Sequence, residues 1–306
     1  MSLYLLGANT AMAASAWHEL ELKLNQPDAP IKELLKTHEE QAKQWPPLEH
    51  SQFLLRLAAA QESDNALEAA MNSYDQAIDL LLPLATPTKE LAIAYTERSY
   101  IRYLRTNDPQ TYCPDRALAV EVARKLNDPE TKAKTFTQYA FCFTQDGKQF
   151  SEGLALLDEA LAIATTHQLS PNRIGMIYNA TGLMYRSNQI YDKAYEYMLL
   201  AYQQWATVDD RQDMFNIQHV LVGLAIERGE FNQAKEHVEQ LFQLAKTSPS
   251  FQDFTFFAEF NAGQVALAQD EYEQAIQHLQ KAISLASTTS EQFFVMNTHV
   301  MLAQAL

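Results

Sequence analysis

Glycine is scarce in this chain, at 8 of 306 residues. No alternating apolar and polar run is flanked by Asn-Gly or Asp-Gly, so the sequence carries no hairpin signal and a β-rich fold is excluded. Basic residues are also few. There are 23 Lys and Arg against 38 Asp and Glu, for a net charge of −15. Nucleic-acid affinity comes mainly from cations that neutralise phosphates, so neither a nucleic acid nor an anionic membrane surface is an expected partner. No stretch of 18 apolar residues occurs, which excludes a complete transmembrane helix within the chain. Cysteine is limited to Cys113 and Cys142, too few for a disulfide framework. The expectation is two free, buried thiols, with a single bridge between them as the alternative.

Catalytic signals are missing as well. There is no glycine-rich phosphate loop and no Gly-x-Ser-x-Gly elbow. The eight histidines never form a His-x-x-x-His pair and never stand at metal-ligand spacing from the cysteines. No catalytic residue, cofactor or metal is therefore expected.

What is present is helix-forming sequence broken at regular intervals. Breaks fall near Pro27 to Pro30, Pro46-Pro47, Pro83 to Pro87, Asn107-Asp108-Pro109, Asn127-Asp128-Pro129, Ser170-Pro171, Asp209-Asp210 and Ser248-Pro249-Ser250. Proline cannot continue a helix and disfavours the helical state of its predecessor. Between the breaks, apolar residues recur at spacings of three and four, the helix period. About fifteen helices are predicted, among them 65–85, 88–106, 114–126 and a last one from Glu291 to Leu306.

One pattern repeats. An aromatic residue is followed after three by a small residue, after four more by a bulky apolar one, and usually after three more by another small one. It runs Tyr74, Ala77, Leu81, Leu84; then Phe150, Gly153, Leu157, Ala160; Tyr191, Ala194, Met198, Ala201; Phe231, Ala234, Val238, Leu241; and Tyr272, Ala275, Leu279, Ala282. From Phe150 onward the period is 40–41 residues. An irregular copy is placed around Ala117, forty residues after Ala77. Gly182 and Gly263 stand twelve residues before Ala194 and Ala275. Residues three and four apart share a helix face, and a small residue there lets a neighbouring helix come close. A helical hairpin cannot bury its apolar face alone, so copies stack.

The segment Tyr178-Asn179-Ala180-Thr181-Gly182-Leu183-Met184-Tyr185 followed by Tyr191-Asp192-Lys193-Ala194 resembles the tetratricopeptide repeat signature. So does Asn261-Ala262-Gly263-Gln264 followed by Tyr272-Glu273-Gln274-Ala275. The resemblance covers residues 130–287 well and 50–129 loosely. It implies an all-α fold, a right-handed superhelical solenoid of antiparallel helix hairpins with a repeat of about 40 residues. The period exceeds the family's 34 and implies longer helices, as in tetratricopeptide-like sensor proteins. Residues 15–306 are expected to form a single solenoid. Residues 1–14, with an uncharged stretch and the small-x-small triplet Ala11-Met12-Ala13, read as the remnant of a secretory signal peptide. The alternative is an apolar first turn packed on the stack. The apolar last helix is expected to be followed by more chain, because solenoids need polar caps; the alternative is a helix that caps unaided.

Candidate binding residues fall into three groups. Arg98, Arg102 and Arg105 share one helix face and form a positive stripe in an acidic chain. They suit an acidic ligand or a peptide carboxylate, or ion pairs with Asp or Glu of adjacent helices. Five phenylalanines, at 251, 254, 256, 257 and 260, crowd one helix start. They read as core, or as a core with Phe254 and Phe257 left over as a hydrophobic patch. By the resemblance, the first helix of each hairpin lines a groove, which makes Gln138, Asn179, Arg186, Asn216 and His219 groove candidates.

The expected function is non-catalytic binding of a protein or peptide, with a small acidic ligand and a homodimer as further options. The resemblance points to the periplasmic input region of a bacterial membrane signalling protein of the diguanylate cyclase (GGDEF) or histidine kinase type. The alternative is an interaction scaffold or assembly factor, periplasmic or cytoplasmic.

Overall fold

The computed structural model describes residues 16–143, 149–247, 251–286 and 292–306. Among these residues lie fifteen α-helices, a short 3-10 turn at Phe141–Phe143 and no strand. Helix α1 covers 16–24. The others are α2 Ile31–Ala42, α3 Pro47–Ser63, α4 Leu67–Leu81, α5 Lys89–Thr106, α6 Pro109–Arg124, α7 Pro129–Ala140, α8 Phe150–Thr166, α9 Pro171–Ser187, α10 Tyr191–Ala206, α11 Arg211–Glu227, α12 Phe231–Lys246, α13 Phe251–Ala268, α14 Tyr272–Leu285 and α15 Gln292–Ala305. The leader expected over 1–14 and the side chain of Phe251 lie outside the described residues. No described helix is long and apolar enough to cross a membrane.

Contacts gather the chain into two compact units, Met1–Cys142 and Phe143–Leu306. In the first, α3 packs on α4 and α5 on α6, and the first helices α3, α5 and α7 touch in succession. In the second, α9 pairs with α10, α11 with α12 and α13 with α14, and α11, α13 and α15 touch in succession. First helices meeting first helices across hairpins is the stacked-repeat arrangement.

The breaks in the sequence become caps. Asp108, Asp128, Ser170 and Asp210 each accept a hydrogen bond from a backbone N–H of the helix they precede, at 3.0, 2.9, 3.3 and 3.2 Å. Pro47, Pro109, Pro129 and Pro171 occupy first helical positions, where a missing N–H costs nothing. The turn inside five of the hairpins is also repeated. Asn65, Asn107, Gln189, Gly229 and Asp270 have φ of 58, 48, 60, 74 and 59°, and each stands two residues before a second helix. Four of these turns close with a bond spanning five residues, Ala66 to Gln61, Ile190 to Tyr185, Glu230 to Ala225 and Glu271 to Ala266. That is the Schellman closure of a helix end, here made mostly without glycine.

The structure corrects the repeat register in the first unit. Second helices begin at Leu67, Pro109, Phe150, Tyr191, Phe231 and Tyr272, at intervals of 42, 41, 41, 40 and 41 residues. Counting from each start, the eighth residue is Tyr74, Arg116, Leu157, Met198, Val238 or Leu279, and the eleventh is Ala77, Ala119, Ala160, Ala201, Leu241 or Ala282. All twelve are buried. Tyr74 is thus the bulky eighth residue of its copy and not the leading aromatic, and Ala77 is the eleventh residue and not the fourth. The fourth position holds Ala70, Gly153, Ala194, Ala234 and Ala275, all buried, with Tyr112 in the α6 copy. Ala117 is only half-buried, so it is not the packing residue of that copy; Ala119 is. The error came from starting the helix at Pro114. Asp108 and Pro109 start it five residues earlier, and Pro114 lies inside it.

Close approach explains the glycines on first helices. A Cβ on Gly182 would lie 2.8 Å from Met198 Cε and 3.2 Å from the Ala194 carbonyl, and one on Gly263 would lie 2.6 Å from Leu279 Cδ2. Gly175 makes room for Trp205, which it would meet at 2.9 Å. The first unit's core is anchored by Trp17, Trp45 and Phe53, whose rings contact in sequence at 5.9 and 5.8 Å.

The cysteines are also corrected. Cys113, in the first turns of α6, and Cys142, just past α7, are joined by a disulfide, with Cα atoms 5.8 Å apart. Helices α6 and α7 pack together, and this brings the start of one to the end of the other.

Candidate functional site

Helix α5 does set Arg98, Arg102 and Arg105 on one face, but carboxylates of α4 and α6 answer all three. Arg98 donates from Nε and Nη2 to Asp115, at 2.8 and 2.6 Å, and from Nη1 to Asp75 at 2.8 Å. Burial alone would make the Arg98 guanidinium easier to deprotonate; the hydrogen bonds it donates to Asp115 and Asp75 outweigh this and hold the cation more firmly than usual. Arg102 lies 3.1 Å from Asp115 and donates to the Thr111 carbonyl at 3.3 Å, while Arg105 pairs with Glu68 at 2.8 Å. The stripe is an ion-pair network between helices, the alternative stated from the sequence.

The groove candidates divide. In the first unit, Gln138 on α7 is half-buried and its amide has no partner among the described residues. In the second, Asn179 on α9 has the same surroundings. Arg186 is taken by Glu227 of α11, at 2.8 and 3.2 Å, passing over Gly223, where a Cβ would lie 3.2 Å from its Nη2. Asn216 is exposed and pairs locally with Gln212 and Asp213. His219 is set against Phe257, Phe260 and Phe294, at 6.0, 6.2 and 5.5 Å. Asn261, fully buried, donates from Nδ2 to the Phe257 carbonyl at 2.6 Å, and its amide meets His219 Nδ1, with Nδ2 at 2.8 Å and Oδ1 at 3.0 Å. Burial pushes the His219 proton affinity down, with Arg186 adding to it against the Asn261 bond.

Of the two patch candidates, Phe254 is buried and Phe257 half-buried. Phe254 is 6% exposed and stacks on Phe215 at 4.0 Å, and Phe257 sits edge-on to Phe215, Phe256 and Phe294. One helix face could not bury all of these rings, but α13 is covered on several sides by α11, α12, α14 and α15. A second buried polar chain lies nearby. His237, 6% exposed, meets the Tyr195 hydroxyl through Nε2 and Gln218 Oε1 through Nδ1, both at 2.7 Å. Burial presses its pKa down to about 4.

Sequence reasoning missed a cavity of about 460 Å³ in the first unit, on the face shared by α1, α3 and α5. Its apolar walls are Trp17, Leu55 and Ile93, and its carboxylates are Glu21, Glu62, Glu90 and Glu97. Glu90 is 7% exposed and accepts one hydrogen bond, from Gln52 Nε2 at 2.8 Å. Glu97 pairs with Lys134 of α7, and Glu62 accepts from the Tyr74 hydroxyl at 3.4 Å. Burial raises the Glu62 pKa, and the neighbouring Glu97 charge raises it further. The stripe was visible in the spacing: Glu90, Ile93 and Glu97 share one face of α5, as do Gln52, Leu55, Ala59 and Glu62 on α3.

A family model for the tetratricopeptide repeat matches residues 260–289. Solved structures of similar fold span most of the chain. A tetratricopeptide repeat protein from Parabacteroides merdae is 15% identical, with 97% of this chain and 99% of that one covered, at a TM-score of 0.60. A signal transduction ATPase with numerous domains and a tetratricopeptide repeat sensor, from Pyrococcus horikoshii, is 16% identical at a TM-score of 0.63; the match covers 90% of this chain and 41% of that one. Aspartyl phosphate phosphatase F from Bacillus subtilis is 14% identical, with 92% and 76% covered, at a TM-score of 0.57. Identities of this size show the fold alone. No curated protein sequence matches the chain. The class so defined is a tetratricopeptide-like helical-repeat protein.

Proposed function

We propose that this chain is a non-catalytic binding module that holds an extended protein or peptide segment against its first helices. The observation that carries the reading is the open cavity on the first-helix face of α1, α3 and α5, lined by both apolar and polar side chains. The half-buried amides of Gln138 and Asn179 can both donate to and accept from a bound main chain. The arginine stripe is occupied by carboxylates, so an acidic ligand is not part of the proposal.

In its fuller form the proposal places the module outside the cytoplasm, as the input region of a membrane signalling protein whose output is a diguanylate cyclase or histidine kinase. The Cys113–Cys142 disulfide supports an oxidising compartment. The similar fold of a tetratricopeptide repeat sensor in the P. horikoshii ATPase supports the sensor role. A scaffold role uses the same face and needs no output domain.

Site-specific photocrosslinking in the source cell tests the binding reading. A photoreactive residue at Ile93, on a first helix, should capture a discrete partner, and one at exposed Gln203, on second helix α10, should not. Capture at Gln203 alone overturns the reading.

A further inference from the structure

The cavity on α1, α3 and α5 has a chemistry of its own. Its lining combines the apolar side chains of Trp17, Leu55 and Ile93 with the carboxylates of Glu62, Glu90 and Glu97. Glu90 is the informative residue. A carboxylate that is 7% exposed should be paired with a cation or saturated with hydrogen bonds. Here Oε1 takes the Gln52 amide, Oε2 takes nothing, and no Lys or Arg nitrogen comes within 4 Å among the described residues. The two cations on the lining do not answer it: Arg56 is exposed and donates to Asn25 Oδ1 at 3.0 Å, and Lys89 is exposed. Glu97 is already committed to Lys134, and Glu62 is crowded by Glu97.

We propose that this cavity receives one basic side chain, arginine or lysine, of the bound segment, with its alkyl stem against Trp17, Leu55 and Ile93 and its charged head at Glu90, within the field of the other lining carboxylates, Glu62 among them. The long basic side chains alone combine an apolar stem with a cationic tip, and that is the pattern of this lining. The volume suits a long side chain with its flanking backbone; small-molecule sites begin at about 300 Å³. The net charge of −15 attracts basic segments in general; the cavity would select where one side chain anchors. This inference rests on the binding reading above and names the class of residue that the face takes.

The test is an NMR titration of the whole chain with acetyl-arginine methylamide, following the Trp17 indole N–H. The neutral isostere acetyl-citrulline methylamide is the control. The arginine probe should give saturable shifts at Trp17 that weaken at least fivefold in Glu90→Gln and several-fold between 50 and 300 mM salt, on the order expected for a semi-buried charge pair. Citrulline should give none. Glu90→Gln keeps the shape that accepts the Gln52 bond; should it fail to fold, Glu62→Gln is read in the same way. Equal binding of citrulline, or an arginine titration unchanged by both variants, overturns the proposal. Loss of the arginine effect with capture at Ile93 intact removes only the preference for a cation. Capture at Gln203 alone removes the binding reading itself, whatever the probe does.

Discussion

Asp115 is 2% exposed and binds two arginines of the neighbouring helix, Arg98 through both of its oxygens and Arg102 at 3.1 Å. A buried carboxylate with two cations is a junction that neither partner can leave cheaply. Replacing Asp115 with Asn leaves Arg98 with Asp75 alone and Arg102 with the Thr111 carbonyl, and should cost about 3 kcal/mol in chemical denaturation. The exposed pair of Arg105 and Glu68 is the contrast, and Arg105→Ala should cost under about 1 kcal/mol. Equal losses at the two sites would contradict this ranking.

Arg116 is the odd member of the eighth position, which elsewhere holds Tyr74, Leu157, Met198, Val238 and Leu279. It is 4% exposed, donates to the Ser99 hydroxyl at 3.3 Å and lies over the Tyr112 ring at 4.5 Å, with no carboxylate within 4 Å among the described residues. Burial makes this guanidinium easier to deprotonate than an ordinary arginine. Arg116→Met restores the apolar pattern of the other copies. It should leave stability unchanged or raise it by about 1–2 kcal/mol, as replacement of buried ions by apolar side chains often does. A loss of that size in urea titration would show that the guanidinium is needed where it lies.

The Cys113–Cys142 bridge closes a separation of 29 residues. A loop of that length is worth roughly 3–4 kcal/mol by chain entropy. Reduction of the wild type and the double variant Cys113→Ser with Cys142→Ser should lower the melting temperature to the same extent. A reductant effect that persists in the double variant would place the loss elsewhere.

His237 makes the fold acid-sensitive. Its pKa falls from 6.5 to about 4 because burial disfavours the imidazolium. Between these values the unfolded chain binds more protons than the folded one. Its contribution is therefore complete above about pH 6.5 and is lost as pH falls towards 4, a total of about 3 kcal/mol. His237→Gln should flatten that part of the stability curve. A slope unchanged in this variant would assign the acid sensitivity to other groups.

What could be read from the sequence follows from which contacts are local. The fourth and eighth positions from Phe150 onward were legible because packing along a single helix sets their spacing. Gly182 and Gly263 were legible because a Cβ there has no room. The register around Tyr74 and Ala117 was not, because an aromatic at the eighth position imitates one at the first and because Asp108 and Pro109 start α6 ahead of Pro114. Arg98, Arg102 and Arg105 were correctly placed on one face, but their partners Asp75, Asp115 and Glu68 belong to flanking helices that no local pattern aligns with them. The same holds for the cavity, where Trp17, Gln52 and Glu90 come from three first helices and meet only after stacking.

The stack is built on one register: second helices that repeat every 40–42 residues and bury their eleventh position. Its weakest copy is α6, and the most direct test is the thermal stability of Ala119→Leu beside Ala117→Leu. Ala119 is 1% exposed and Ala117 half-buried two residues away. Overpacking at Ala119 should cost about 2 kcal/mol or more and lower the melting temperature by several degrees, with Ala117→Leu close to wild type. The opposite order, with Ala117→Leu the damaging change, would contradict the register and the stacking built on it.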